Sequence, residues 1–274
     1  MPKTKEPSPS LAFLPERASD TAALAEAAKG CKACHLYANA TQTVFGEGGA
    51  HAALVLVGEQ PGDQEDLQGH PFVGPAGRIL DGALEAAGID RKDVYVTNAV
   101  KHFKWEPRGK RRLHAKPNLL EVHACHGWLE AELAAVRPAV VVCMGATAAQ
   151  AVLGRAVPIG ASRGKVLDGG ELAPRVVVTM HPSSLLRLRH FDEKAYARGK
   201  EQLADDLRFA ASLTEERRRA APTSRSAASR ESPRPRTGPR TTRSASGEPS
   251  TRNSRSGARA PRSRGPARPR PPRA

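Results

Sequence analysis

Three polar residues that could take part in catalysis each follow an apolar run of the sequence. They are Glu59, Asn98 and His181. A carboxylate just past a strand end can orient or deprotonate a nucleophile, and an amide or an imidazole can hydrogen-bond a substrate. Each residue also has an ordinary alternative role, since exposed glutamates, turn-capping asparagines and loop histidines are common. The pattern indicates a candidate site without fixing its chemistry.

The segment 58–77, which surrounds Glu59, is rich in glycine and proline. This composition predicts a closely folded loop in which the backbone can approach a ligand. Phe72 is an aromatic residue within this polar loop, so it is a candidate for stacking on a flat ring. The ordinary alternative is that Phe72 covers its own turn.

The four cysteines are Cys31, Cys34, Cys125 and Cys143. Four thiolates suit zinc or an iron–sulfur cluster, and the wide spacing of the second pair favours a cluster over a zinc ribbon. The alternatives are a buried strand thiol at Cys143, a redox pair at Cys31 and Cys34, or a c-type haem attached at 31–35. Haem is disfavoured because its attachment normally follows export, and we see no export signal.

A basic segment, 101–116, contains seven lysines or arginines and one acid, Glu106. Residues 1–216 as a whole are neutral, so this local excess of positive charge predicts contact with phosphates.

Four continuous apolar runs predict buried strands, and helical patterns separate them. The strands are expected over 52–57, 94–97, 139–144 and 176–180. The helices are expected after a cap at 19–21, and over 75–87, 117–136, 147–153 and 191–213. This alternation predicts an α/β fold, a three-layer α/β/α sandwich with a central four-stranded parallel sheet. Ligands of such folds bind at the carboxyl ends of the strands, where the three polar residues lie.

The composition divides the chain into three parts. Residues 1–18 are expected to form a flexible lead-in, 19–213 one folded domain, and 214–274 a disordered basic tail. The net charge of +15 lies in the tail, because residues 217–274 hold 17 arginines and two acids. Such a tail suits a polyanion such as nucleic acid or an acidic membrane, or merely solubilises the chain. No apolar run is long enough to span a membrane, so we expect a cytoplasmic protein with no membrane partner.

These motifs resemble those of the iron–sulfur (family 4-like) branch of the uracil-DNA glycosylase superfamily. The segment 58–77 is similar to the first motif of that family, and the match continues through 97–101, 181–183 and the four cysteines. It covers roughly residues 20–213. The resemblance implies a uracil-DNA glycosylase-like fold, a 4Fe–4S cluster held by the four cysteines, and excision of a flipped uracil from DNA.

The same resemblance implies roles for individual residues. Asn98 is expected to read uracil, Phe72 to stack on it, and His181 to stabilise the negative charge on the departing base. Glu59 is expected to act on the nucleophile. The further substrate contacts expected from the first motif are Gln60 and Asp63.

The basic segment resembles that of one class within this family. Residues 110–114 read Lys-Arg-Arg-Leu-His, similar to the Lys-Arg-Arg-Ile-His segment of the DNA-crosslinking UdgX class, and Gln60 stands where many relatives have alanine. By that resemblance His114 attacks C1′ after uracil departs and forms a covalent adduct in a single turnover. The pair 185–186 either wedges into the base stack or belongs to the core. The expected DNA contacts are Lys101, Lys110, Arg111, Arg112, Ser183 and Ser184.

Two other functions remain open from the sequence. One is a conventional family 4-like uracil-DNA glycosylase that uses water and turns over. The other is a noncatalytic Fe–S protein that binds abasic or single-stranded DNA. For the enzyme, we expect a bacterial, nucleoid-associated monomer whose ligands are uracil-containing DNA, single- or double-stranded, and free uracil.

Overall fold

The computed structural model describes residues 6–16, 20–170, 172–189 and 191–220. The predicted basic tail lies outside these ranges from residue 221 onwards, as do residues 1–5 and 17–19 at the N-terminal end. No helix within the described ranges is long and apolar enough to cross a membrane.

Six strands form one sheet whose four central strands run parallel. In spatial order the central strands are Val94–Asn98 (β3), Leu54–Gly58 (β2), Val140–Met144 (β6) and Ala173–Thr179 (β8). Two short antiparallel strands, Glu47–Gly48 (β1) and Val166–Gly169 (β7), extend the two edges. The predicted four-stranded parallel sheet is confirmed as the centre of a wider mixed sheet. The edge strands are too short to leave a readable pattern in the sequence.

Helices cover both faces of the sheet and give the three-layer α/β/α sandwich that the alternation predicts. Those with side chains in the core on one face are Thr21–Ala28 (α1), Leu119–Val136 (α4) and Ala146–Leu153 (α5). Those on the other face are Pro75–Ala86 (α3), Pro182–Leu188 (α7) and Glu193–Ala220 (α8). The short helices Asp63–Gln68 (α2) and Ile159–Ser162 (α6) lie in connections.

Capping side chains set the ends of several helices. The Asp20 carboxylate accepts a hydrogen bond from the backbone N–H of Ala23 at 2.7 Å, as the predicted cap requires. Asn118 and Glu121 form a capping box, so α4 begins at Leu119 rather than at 117. Helix α8 continues beyond 213, the predicted end of the last helix, as far as Ala220.

The prediction that residues 1–18 form a flexible lead-in is wrong for residues 8–13. A 3₁₀ helix over Pro9–Phe13 packs on α4. The Ser8 hydroxyl donates to the carbonyl of His123 at 2.8 Å and accepts from the backbone N–H of Gly127 at 3.1 Å. A buried serine with two backbone partners anchors this segment although its sequence has no apolar periodicity.

A two-stranded hairpin, Trp105–Arg108 (β4) and Arg111–His114 (β5), occupies part of the segment that the sequence presents only as a basic loop. Gly109 in its turn has φ of 59°, in the left-handed region that favours glycine. The hairpin is largely exposed, so it lacks the apolar alternation that would have revealed it.

Candidate active site

Residues beyond the carboxyl ends of the four central strands surround one pocket with a volume of about 690 Å³. It brings together five of the residues singled out from the sequence: Glu59, Phe72, Asn98, His114 and His181. A pocket of this size accommodates a small flat molecule or one extruded nucleotide.

The floor of the pocket depends on Gly58, the last residue of β2. A Cβ on Gly58 would lie 2.3 Å from Asn98 Oδ1 and 2.6 Å from Phe72 Cζ, so these two side chains meet above bare backbone. Phe72 has φ of 58°, a conformation that non-glycine residues rarely adopt. Its carbonyl is accommodated by Gly77, where a Cβ would lie 1.8 Å from it. The surrounding loop therefore holds the ring in place against local strain.

Two buried polar atoms in this pocket have no hydrogen-bond partner. Within the described ranges, only three buried side-chain nitrogen or oxygen atoms lack one, and two of them are Asn98 Oδ1 and His181 Nε2. Buried polar atoms are normally hydrogen-bonded, so two such atoms without partners in one pocket indicate that a ligand supplies the missing hydrogen bonds.

The hydrogen bonds of His181 determine which of its nitrogens carries the proton. Its Nδ1 lies 3.1 Å from the backbone N–H of Ser183, which can only donate. Burial, with a smaller contribution from the nearby His114, lowers the pKa of His181 to about 4. At neutral pH the ring is therefore uncharged with its proton on Nε2, so the orphan nitrogen is a donor that needs an acceptor.

Gln60 also lines the pocket, but its amide is bound to protein rather than free for the substrate contact predicted for it. Its Nε2 donates to the carbonyls of Lys104 and Ala115, both at 3.1 Å. Its Oε1 accepts from the backbone N–H of Lys104 at 3.2 Å. One side chain thus clamps both ends of the hairpin that carries His114.

Arg112 anchors the same hairpin from its outer side. Its Nε donates to Asp63 at 2.7 Å, and a terminal nitrogen donates to the buried Asp66 at 2.6 Å. The guanidinium also lies over the rings of Phe103 and Trp105, 5.4 and 5.7 Å from their centres. The two side chains therefore bind each other here, and the DNA contact expected of Arg112 and the substrate contact expected of Asp63 stay predictions.

Glu59 and His114 face each other across the pocket. His114 Nε2 lies 3.6 Å from Glu59 Oε1, with the imidazole half exposed. The second carboxylate oxygen, Oε2, accepts a short hydrogen bond from the hydroxyl of Thr147. Sequence reasoning missed Thr147. A signal was available, since Thr147 is the first residue after β6 whose side chain can form a hydrogen bond.

Lys101 was predicted to contact DNA, and the structure contradicts this. The side chain is fully buried, and its ammonium forms an ion pair with the equally buried Glu132. It also donates to the backbone carbonyl of Asn98 at 2.8 Å. A phosphate cannot reach this ammonium, because strand β3 and helix α4 enclose it.

The other predicted DNA-contacting residues lie in two places. Lys110 and Arg111 are exposed at the tip of the hairpin, where a phosphate can approach them. Ser183 and Ser184 line the pocket and hydrogen-bond His181, to Nδ1 at 2.8 Å and to the carbonyl at 2.7 Å.

The four cysteines lie in the core on the α4 side of the sheet. The indole N–H of Trp128 donates to Cys31 Sγ and the backbone N–H of Lys101 to Cys125 Sγ, both at 3.2 Å. Burial raises the pKa of Cys125 to about 12. The thiols as placed do not form a group that would hold a single metal ion, in the part of the chain described. All four cysteines are free, and N–H···S contacts of this kind suit thiolate ligands.

Known proteins resemble this chain over most of the folded part. Residues 45–204 match the sequence model of the Uracil DNA glycosylase superfamily. The type-4 uracil-DNA glycosylase of Thermotoga maritima is 41% identical over 169 residues, 61% of this chain and 83% of that protein. The type-4 enzymes of Archaeoglobus fulgidus and Pyrobaculum aerophilum are 37% and 35% identical, over 57% and 61% of this chain and 78% and 85% of theirs.

Replacement of Gln60 with alanine should loosen the hairpin. We expect amide hydrogen exchange across 104–115 to accelerate about tenfold or more, since a net loss of about 1.4 kcal/mol corresponds to a factor of ten. Exchange followed by mass spectrometry measures this directly. Gln68→Ala, on the exposed end of α2, is the matched control and should leave the hairpin unchanged. Equal protection in Q60A and the unaltered chain would show that the clamp is not needed.

Proposed function

The chain belongs to the uracil-DNA glycosylase superfamily, and from this premise we propose that its pocket binds a flipped uracil and catalyses its excision from DNA. The observation that carries the proposal is the pair of orphaned buried atoms, Asn98 Oδ1 and His181 Nε2, beside the ring of Phe72.

Uracil has the hydrogen-bonding groups that these atoms lack. Its N3–H can donate to Asn98 Oδ1, and its O2 can accept from the neutral His181 Nε2–H. Cytosine has an acceptor at N3, and two acceptors cannot form a hydrogen bond with each other. Cytosine would therefore leave the buried Asn98 Oδ1 unpaired. The ring of Phe72 supplies a stacking surface for either base, so discrimination rests on Asn98.

The reaction breaks the bond between C1′ of the sugar and N1 of uracil. The electron pair leaves with the base, and the hydrogen bond from His181 Nε2 stabilises the resulting negative charge at O2. The sugar becomes cation-like at C1′ and must be captured by a nucleophile. Glu59, at the mouth of the same pocket, is placed to orient that nucleophile and to accept its proton.

Asn98→Ala should lower the rate of uracil release by about a hundredfold or more, the usual cost of losing one preorganised hydrogen-bonding group. The measurement is uracil released from an oligonucleotide with a single deoxyuridine. Asn39→Ala, a second loop asparagine outside the pocket, should retain the full rate. An unaltered chain that binds DNA but releases no uracil would favour the noncatalytic alternative.

The nucleophile is either water or His114, and the relatives favour water. They carry the name of type-4 uracil-DNA glycosylases. By analogy with them, water attacks C1′, its proton passes to Glu59, and the abasic DNA is released so that the enzyme turns over.

A second candidate, covalent capture by His114, is supported by one specific contact. The imidazole lines the pocket, and its Nε2 lies 3.6 Å from Glu59, in the space that an activated water would need. In this reaction the C1′–N1 bond breaks first, and the unprotonated Nδ1 of His114 then forms a bond to C1′ with its lone pair while Nε2 carries the proton. The proton on the other ring nitrogen is then lost to Glu59 or to solvent. A side chain clamped in contact can outcompete water because its effective concentration is very high.

A denaturing gel distinguishes the two candidates. Covalent capture predicts a protein–DNA band that survives boiling in detergent, about one uracil released per chain, and loss of the band in His114→Ser. Turnover predicts many uracils per chain and no such band. Leu113→Ala, next to His114 on the exposed face of the hairpin, is the control and should behave like the unaltered chain in either case.

We also propose that Cys31, Cys34, Cys125 and Cys143 hold a 4Fe–4S cluster. The four thiols share one region of the core, and two of them accept N–H hydrogen bonds. When bound, the cluster would join the N-terminal segment to α4 and β6.

Analysis of the purified chain should find about four iron atoms and four sulfides per molecule. The variant Cys125→Ser should lose most of the iron and unfold at a lower temperature, because the three remaining thiols then lack the cluster that joins them. Stoichiometric zinc without iron would contradict the cluster and favour a structural zinc site.

A further inference from the structure

The two oxygens of the Glu59 carboxylate have different neighbours. Oε1 faces the His114 imidazole across 3.6 Å, on the side where the nucleophile must stand. Oε2 accepts the hydrogen bond from the Thr147 hydroxyl. The carboxylate is thus held through Oε2, the oxygen that does not face the nucleophile.

Thr147 is itself firmly placed. It is the second residue of α5 and is 7% exposed. Gly145, just before the helix, has φ of 93°, and its backbone N–H donates to the carbonyl of Thr179 at 2.9 Å. This ties the start of α5 to the end of β8. A β-branched side chain has few χ1 rotamers, so the direction of the hydroxyl is well defined.

The rotation of a glutamate carboxylate about its last bond is soft, so Glu59 needs a partner to keep one oxygen aimed at the nucleophile. The Thr147 hydroxyl is that partner. With valine at 147 the space would stay filled, but the carboxylate would be free to turn away from C1′.

We propose that Thr147 is a positioning residue for the excision reaction, which acts through Glu59 by fixing the orientation of its carboxylate. This inference rests on the proposed function, in which Glu59 orients and deprotonates the nucleophile. It applies equally to water and to His114, because both stand on the Oε1 side.

The test is a double-mutant cycle on the rate of uracil release with enzyme in excess. Thr147→Val should lower the maximal rate about tenfold to a hundredfold, and change the enzyme concentration that gives half that rate by less than about twofold. Thr147→Ser, which retains the hydroxyl, should restore the rate to within about threefold. In the Glu59→Ala background, Thr147→Val should have almost no further effect, because its only route to the reaction has been removed.

Thr43→Val is the matched control, since it removes another partly buried threonine hydroxyl that does not line the pocket. It should keep the unaltered rate. Melting temperatures of all variants show whether they fold. A full rate in T147V would overturn the inference, as would an equal loss in the presence and absence of Glu59. If the unaltered chain releases no uracil, the proposed function itself fails, and this inference fails with it.

Discussion

The ion pair between Lys101 and Glu132 is buried between strand β3 and helix α4, and its hydrogen bonds hold the end of β3 in place. Charges of this kind are costly to bury unless every hydrogen-bonding position is used. Here they are used: Glu132 accepts from three further donors, namely Tyr95, Thr97 and the backbone of Gly46. The ammonium also donates to the carbonyl of Asn98. The main chain of Asn98 is thereby fixed, while its side-chain oxygen is left for a ligand.

Much of the fold could be predicted from the sequence because burial on both faces leaves a simple signature. Strands β2 and β6 are continuous apolar runs, and glycine, proline and capping residues mark the ends of the helices between them. The candidate site followed from a single rule, that polar residues after parallel strands share one edge. This rule brought Glu59, Asn98 and His181 together before any contact was known, and it would have included Thr147 had it been applied to β6.

The sequence does not show what surrounds each positive charge in the folded chain. A sequence shows that Lys101 and Arg112 are cationic, and a cation beside a DNA-binding motif resembles a phosphate contact. Whether the charge meets a phosphate or a carboxylate depends on residues distant in the chain, Glu132 in one case and Asp66 in the other. The two cations near the turn of the hairpin, Lys110 and Arg111, have the same chemistry but remain exposed. Local composition cannot separate these outcomes, because tertiary packing decides them.

The hairpin of β4 and β5 begins and ends at nearly the same point in space. The backbone N–H of Ala115 donates to the carbonyl of Lys104 at 3.0 Å, so the hairpin leaves and rejoins the main fold at one place. A hairpin of this kind can be lengthened, shortened or lost without displacing the strands on either side. His114 distinguishes the two candidate outcomes of the reaction. It therefore lies on a segment whose length can change without displacing the central strands. If the reaction follows the covalent route proposed above, gain or loss of the hairpin together with its clamp at Gln60 would change the outcome, and the base-recognition pocket would not have to be rebuilt.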